Sequence, residues 1–144
     1  MSSQKTADIE QRKISRRRLT AEASLLAMMA ENARIYNEFG PLYTEESFLA
    51  DIHKKIFSLV RLYYNENTIG KCSDFLASRM QGKEKELSGV LMSVQNIDNP
   101  HMAAKDFSHV LDDEIFNEKL QKAQNEGNIE AISELLKEKK TKRW

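Results

Sequence analysis

The chain has 144 residues, with 22 basic and 22 acidic side chains, five glycines, two prolines and one cysteine. This length suits one domain with a real core, and the single Cys72 excludes an internal disulfide. No stretch approaches the roughly 18 to 20 consecutive apolar residues of a membrane span, and the N-terminus lacks the apolar segment of a secretory signal. We therefore expect a soluble, cytoplasmic protein without a membrane partner.

The net charge is zero, but the charges are unevenly distributed. Residues 1–19 hold six basic and two acidic side chains, and residues 137–143 hold five basic and one acidic. The body between residues 20 and 136 is left with eleven basic and nineteen acidic residues, a poor composition for binding duplex DNA. We expect residues 1–19 to be a basic flexible tail or linker, with nucleic acid bound weakly through the termini or not at all.

The scarcity of glycine and proline, and the lack of sustained apolar–polar alternation, predict an all-α fold. The first helix is predicted to begin near Thr20, whose hydroxyl can cap free amides. It should end at Gly40-Pro41, where glycine tolerates a left-handed cap and proline cannot continue the helix. Its predicted buried stripe consists of Leu25, Leu26, Met29, Ala33 and Tyr36.

A second helix is predicted from an N-cap at Thr44 to about Glu66, with Glu45 and Glu46 at the positive end of the helix dipole. Its apolar arc is too wide for a surface helix, so we expect it to be central and to pack on the first helix and two later ones. We interpret His53 on this helix as a partly buried structural histidine with one hydrogen bond, in preference to a catalytic residue.

Two shorter helices, Ser73–Met80 and Lys83–Gln95, are predicted on either side of Gly82 and would complete a helical bundle over residues 20–98. The turn-favouring sequence NIDNP at residues 96–100 marks a boundary. Helices from Pro100 to about Glu126 and from Ile129 to about Lys142, joined at Gly127-Asn128, should then form an antiparallel C-terminal hairpin over residues 99–144. The apolar side of such a hairpin either folds onto the bundle or is offered to another protein.

The sequence contains no recognisable catalytic or metal-binding constellation. Its three histidines and Cys72 lack paired metal-ligand spacing, and no phosphate-binding glycine loop or nucleophile elbow is present. Asp112, Asp113 and Glu114 are consecutive on a helix, so their side chains diverge and cannot converge on one ion, and we expect them to form a solvated acidic face. We expect this chain to have no catalytic residue, no metal site and no cofactor, and thus to function by binding.

The long helix of the bundle carries three distinctive segments, His53-Lys54-Lys55-Ile56-Phe57, Leu59-Val60 and Tyr63-Tyr64-Asn65-Glu66. With these segments it resembles the corresponding helix of the C-terminal helicase-binding domain of bacterial DNA primase. The order of the surrounding elements is also similar, from a leading helix with a leucine pair at Leu25-Leu26 to a terminal hairpin. The resemblance spans about residues 20–144 and is closest over Phe48–Glu66.

The resemblance implies that the chain is the tail of a longer enzyme whose DNA-directed RNA polymerase activity lies elsewhere. It also implies that the hairpin docks on the N-terminal domain of the hexameric replicative helicase, while the bundle modulates the helicase. We expect a monomer whose docking residues are Phe116, Leu120, Ile132, Leu135 and Leu136, with Lys139 and Lys140 as charges at the rim.

Other interpretations remain open. Each of the five apolar hairpin residues can instead serve only to hold its two helices together. The chain could also be a self-associating assembly module similar to the helicase's own N-terminal domain, or a nucleic-acid-binding regulator that uses the basic termini. Concentration-dependent oligomers would indicate an assembly module. A strongly salt-dependent affinity for DNA would indicate a nucleic-acid-binding regulator.

Overall fold

The computed structural model describes the backbone of residues 2–94 and 97–141, and the side chains of residues 16–94 and 97–138. The described residues form helices and turns without a strand, which confirms the all-α prediction. Two short 3-10 turns, Gly40–Leu42 and Glu45–Ser47, lie between the second and third helices. The α-helices are α1 Ser2–Glu31, α2 Ala33–Phe39, α3 Asp51–Asn65, α4 Cys72–Arg79, α5 Glu84–Leu91, α6 Pro100–Asn125 and α7 Ile129–Thr141.

The predicted start of the first helix near Thr20 is wrong, because α1 is helical from Ser2. The Thr20 hydroxyl does not cap this helix; it donates a hydrogen bond of 2.9 Å to the carbonyl of Arg16, one turn earlier. The helical backbone therefore runs through the segment expected to be a tail. Whether residues 1–19 serve as an interdomain linker stays a prediction.

The predicted first helix is in fact two helices, because the helical conformation is interrupted at Asn32. The Asn32 side chain caps α2 by accepting hydrogen bonds from the amides of Arg34 and Ile35, at 3.0 and 3.4 Å. The left-handed cap expected at Gly40 is also wrong, since its φ is −54°. Glycine is required there for space: an added Cβ would lie 2.8 Å from the Tyr36 ring.

The predicted second helix begins later than expected. Thr44 opens a 3-10 turn instead, in which the Ser47 hydroxyl accepts a hydrogen bond of 3.0 Å from the Thr44 amide. The extended residue Phe48 then buries its ring, and α3 starts at Asp51. A well-capped local turn and a buried aromatic residue thus replace the first turns of the predicted helix.

The remaining boundaries lie close to the predictions. Helix α4 begins and ends one residue earlier than predicted, α5 ends at Leu91, and α6 ends at Asn125. Gly127 has a φ of +66°, the left-handed conformation expected of the hairpin turn. The predicted end of α5 at Gln95 is wrong, since residues 92–94 already lie outside this helix, and the predicted end of α7 at Lys142 lies outside the described residues.

The core is organised around α1. Helix α3 packs on α1, α4 and α5, as predicted, but α1 contacts every helix from α2 to α6 and so holds the central position. The sequence pattern concealed this because the N-terminal half of α1 is polar. Residues of α1 with 0% exposure are Leu25, Leu26, Met29 and Glu22.

The first half of α6 belongs to this core. Ala104 and Leu111 are completely buried in the same hydrophobic cluster as α1 and α3. The buried Tyr43 hydroxyl lies 2.5 Å from the Ser108 hydroxyl and donates a hydrogen bond of 2.9 Å to Asp112. Helix α6 is therefore fixed to the bundle along its N-terminal half, while its C-terminal half pairs with α7.

Candidate interaction surface and the buried network behind it

An exposed apolar stripe runs along α7. Ile129, Ile132 and Leu136 are spaced by three and four residues, which places them on one helix face. Ile129 is 79% exposed, Leu136 is 49% exposed and Ile132 is half-buried. Because α7 packs mainly on α6, its outer face remains available to a partner.

The structure separates the predicted docking residues into different environments. Phe116, Leu120, Ile132 and Leu135 are half-buried, whereas Leu136, at 49% exposure, is the most exposed of the five apolar residues. Lys139 and Lys140 lie on the last turns of α7, but their side chains are outside the described residues. Sequence analysis missed Ile129, although its spacing of seven residues from Leu136 was a usable signal.

A shallow groove of about 290 Å³ separates α6 from α7 on another side of the hairpin. Its floor is formed by Ala123, Ala131 and Leu135, of which only Leu135 was a predicted docking residue. Its edges are charged, with lysines contributed by α6 and glutamates contributed by α7 and the turn. The edge residues are Lys119, Lys122, Glu126, Glu134 and Glu138.

A buried polar network connects the hairpin to the bundle. The Glu22 carboxylate accepts hydrogen bonds of 2.9 Å from Arg18 Nε and from the amide of Leu49. Its other oxygen lies 2.8 Å from His53 Nδ1. Glu22 is 0% exposed, and Arg18 and His53 are 5% and 6% exposed. Three partners, from α1, from α3 and from the residues just before α3, thus surround this one carboxylate.

Arg18 extends this network to α6. Its guanidinium pairs with Glu118, and it donates a hydrogen bond of 2.9 Å to the Ser47 carbonyl. The neighbouring Arg17 pairs with the buried carboxylate of Glu114 at 3.4 Å. Arg18, a basic residue of the predicted tail, is therefore engaged within the fold, while Arg17 pairs with Glu114 from the surface, with 63% of its side chain exposed.

The environment of His53 is the one predicted for a structural histidine: it is buried and hydrogen-bonded to Glu22. Neither Glu22 nor His53 lines the groove or the larger cavity below. The acidic run diverges as expected, but the solvated acidic face predicted for it is wrong. Asp112 is half-buried and accepts from Tyr43, Glu114 is buried and pairs with Arg17, and only Asp113 of the three is exposed.

A larger cavity of about 620 Å³ lies where the ends of α1, α3, α4 and α5 meet. Tyr64 lines this cavity. Its hydroxyl donates a hydrogen bond of 2.7 Å to the Met29 carbonyl, and its ring stacks on that of Tyr36 with the ring centroids 4.5 Å apart. Burial raises the pKa of the Tyr64 hydroxyl to about 12 and that of the Cys72 thiol to about 12. Both groups are therefore neutral at physiological pH, and Cys72 is not an activated nucleophile.

Two further observations concern the described part of the chain. No group of three or more histidine, cysteine, aspartate or glutamate side chains is arranged there to hold a metal ion. None of its helices combines the length and apolar character needed to cross a membrane. Comparison with protein-family models, with curated proteins and with solved structures found no match to this chain.

Proposed function

We propose that this chain is a non-catalytic docking domain that binds the N-terminal domain of the hexameric replicative helicase. This is the role implied by its resemblance to the C-terminal domain of bacterial DNA primase. The observation that carries the proposal is the exposed apolar stripe on α7, at the end of a hairpin whose other end is built into the core. Such a stripe is the kind of surface that an amphipathic helix offers to a groove on a partner.

The way the hairpin is held supports this function. Helix α6 is continuous from the buried Ala104 to the turn at Gly127, so α7 is presented on an ordered support. A pre-organised binding element loses little conformational entropy when it binds, which favours affinity. Arg18 and Glu118 add a polar connection near the middle of α6.

In this proposal the polymerase chemistry of the parent primase lies elsewhere in a longer cytoplasmic protein. The domain raises the local concentration of that enzyme beside the helicase during DNA replication. A helicase ring offers several equivalent sites, so several copies of the domain can bind one ring. Weak individual contacts then give a higher overall avidity if their chains are connected.

The test is titration of the chain with the purified helicase N-terminal domain, followed by calorimetry. We expect saturable binding that Leu136→Asp weakens at least about tenfold, because a charge replaces an apolar interface anchor. Leu42→Asp is the matched control, since Leu42 is 61% exposed in the first 3-10 turn and lies outside the hairpin. Equal binding by the wild type and both variants would show that the α7 stripe is not the docking surface.

Self-association is the competing use of the same stripe. Sedimentation of the chain alone over a range of concentrations separates the two functions. We expect the chain to be a monomer at every concentration up to the highest one used in the helicase titration. A concentration-dependent dimer that Leu136→Asp abolishes would instead identify the stripe as a contact between copies of the chain.

A further inference from the structure

The two edges of the groove between α6 and α7 carry opposite charges, whereas the stripe is apolar. Lys119 and Lys122 form one edge on α6, while Glu134 and Glu138 form the opposite edge on α7. Glu126 extends the acidic side at the turn. A segment lying in this groove would thus meet positive charge on one flank and negative charge on the other.

The groove and the stripe are different faces of the hairpin. Glu134 and Leu136 are two residues apart, so their side chains point in directions about 200° apart on a helix of about 3.6 residues per turn. Leu136 belongs to the stripe, and Glu134 belongs to the groove. The hairpin therefore offers two surfaces, and a partner bound to the stripe leaves the groove accessible.

The dimensions of the groove favour an anchoring side chain. Its floor contains two alanines, Ala123 and Ala131, where larger residues would have closed the space. Its volume of about 290 Å³ lies at the lower limit of the roughly 300 to 1,000 Å³ typical of small-molecule sites. The groove is also open to solvent along its charged edges, which suits a helix that inserts one apolar residue.

The lysine edge is available to a partner. Lys119 and Lys122 are both exposed, and none of the ion pairs between described side chains involves either of them. Complementary charges across an interface determine orientation and accelerate association. Two like charges on one edge, opposed by acidic residues on the other, can therefore fix the register and direction of a bound helix.

We propose that the α6–α7 groove binds an amphipathic helix of the helicase N-terminal domain, and that this helix has acidic residues on one flank and basic residues on the other. Its apolar residue packs on Ala123, Ala131 and Leu135, its acidic flank faces Lys119 and Lys122, and its basic flank faces the glutamate edge. This inference rests on the proposed docking function and names the chemistry of the partner surface.

Charge reversal tests this arrangement because a dipolar partner and a uniformly charged partner respond differently. The helicase N-terminal domain is titrated with Lys119→Glu/Lys122→Glu and, separately, with Glu126→Lys/Glu134→Lys. Each pair should weaken binding about tenfold at low salt, mainly by slowing association. If one pair weakens binding and the other strengthens it, the partner carries a single sign of charge and the proposal is wrong.

Matched controls lie on the same helix. Lys105→Glu and Asp106→Lys change exposed charges on α6, and residue 105 lies about 21 Å along the helix axis from residue 119. Neither control should change the dissociation constant more than about twofold, because at that distance charges are largely screened at physiological ionic strength. Controls as damaging as the groove variants would assign the effect to long-range charge and overturn the proposal.

A steric test changes the shape of the groove without changing any charge. Ala131→Trp fills the groove and should weaken binding about tenfold, whereas Gln124→Trp adds the same side chain to an exposed position of α6 outside both the groove and the α7 stripe and should leave binding unchanged. Circular dichroism of each variant checks that the helices persist. Wild-type binding that Ala131→Trp leaves unchanged would overturn the groove assignment alone, whereas no binding by the wild type would overturn the docking function as well.

Discussion

Replacement of Arg18 by methionine is the sharpest test of how the N-terminal segment is integrated into the fold. Methionine retains an unbranched apolar chain but removes the guanidinium that binds Glu22, Glu118 and the Ser47 carbonyl. If residues 1–19 were only a solvated tail, this change would have almost no effect on stability. In the structure Arg18 is 5% exposed, so the change removes buried interactions.

The magnitude follows from what the substitution leaves behind. Glu118 is 58% exposed and regains water, so loss of its pair contributes little. The Glu22 carboxylate is completely buried and keeps only His53 and the Leu49 amide as partners. Removing one partner of a buried ion pair costs about 3 to 5 kcal/mol. Because Glu22 keeps two of its partners, we expect the free energy of unfolding to fall by about 3 kcal/mol. For a chain of this length, that lowers Tm by about 6 to 12 °C.

The assay is urea and thermal unfolding followed by far-UV circular dichroism. Arg16→Met is the matched control, because Arg16 is exposed two residues away on α1 and should change the free energy of unfolding by less than about 0.5 kcal/mol. Adding Glu22→Gln to Arg18→Met replaces the stranded carboxylate with a neutral amide that can still accept from Leu49. The double variant should therefore recover part of the loss.

Two outcomes would refute this reasoning. A loss below about 1 kcal/mol for Arg18→Met, similar to that of Arg16→Met, would mean that Arg18 is solvated and that the helix around it is not part of the cooperative fold. A double variant less stable than Arg18→Met would mean that the unpaired Glu22 carboxylate is not what destabilises the protein.

Two further predictions concern the hydroxyls of Tyr43 and Tyr64 and the thiol of Cys72. Tyr43→Phe should cost about 1 to 3 kcal/mol in urea unfolding, because it removes one hydrogen-bond partner from Asp112 and one from the buried Ser108; a loss below about 0.5 kcal/mol would contradict this. Stability should fall from about pH 9 upward, because burial raises the pKa of Cys72 from 9.0 and that of Tyr64 from 10.0, each to about 12. The folded state then holds both protons more tightly, so this stabilisation is complete below pH 9 and is lost as the pH rises towards 12. Cys72→Ala should reduce the loss between pH 9 and pH 10, and an unchanged slope there would refute the thiol's contribution.

The sequence predicted the fold class and the later helices because their signals are local. The spacing of apolar residues and the turn at Gly127 are sufficient to define α6 and α7 within a few residues. The start of α1 could not be predicted in this way. Its N-terminal half is polar, and the residue that ties it to the rest of the chain, Arg18, is an arginine whose partners lie 29 and 100 positions away.

The break at Asn32 was missed for a different reason: it lies within an apolar pattern that continues across it, and periodicity alone does not reveal a side-chain cap. The cap at Thr44 was predicted, but the sequence did not show that it opens a 3-10 turn and that α3 begins only at Asp51. For the candidate surface, the sequence identified the hairpin and Leu136 but omitted Ile129. The groove between α6 and α7 requires knowledge of how two helices face each other, which is a tertiary property.

Titration of the chain with the helicase N-terminal domain tests the central claim most directly. The proposal predicts saturable heat of binding and comigration of the two proteins, with an affinity at least about tenfold lower for Leu136→Asp and unchanged for Leu42→Asp. Absence of heat and of comigration with the wild-type chain would contradict the docking function.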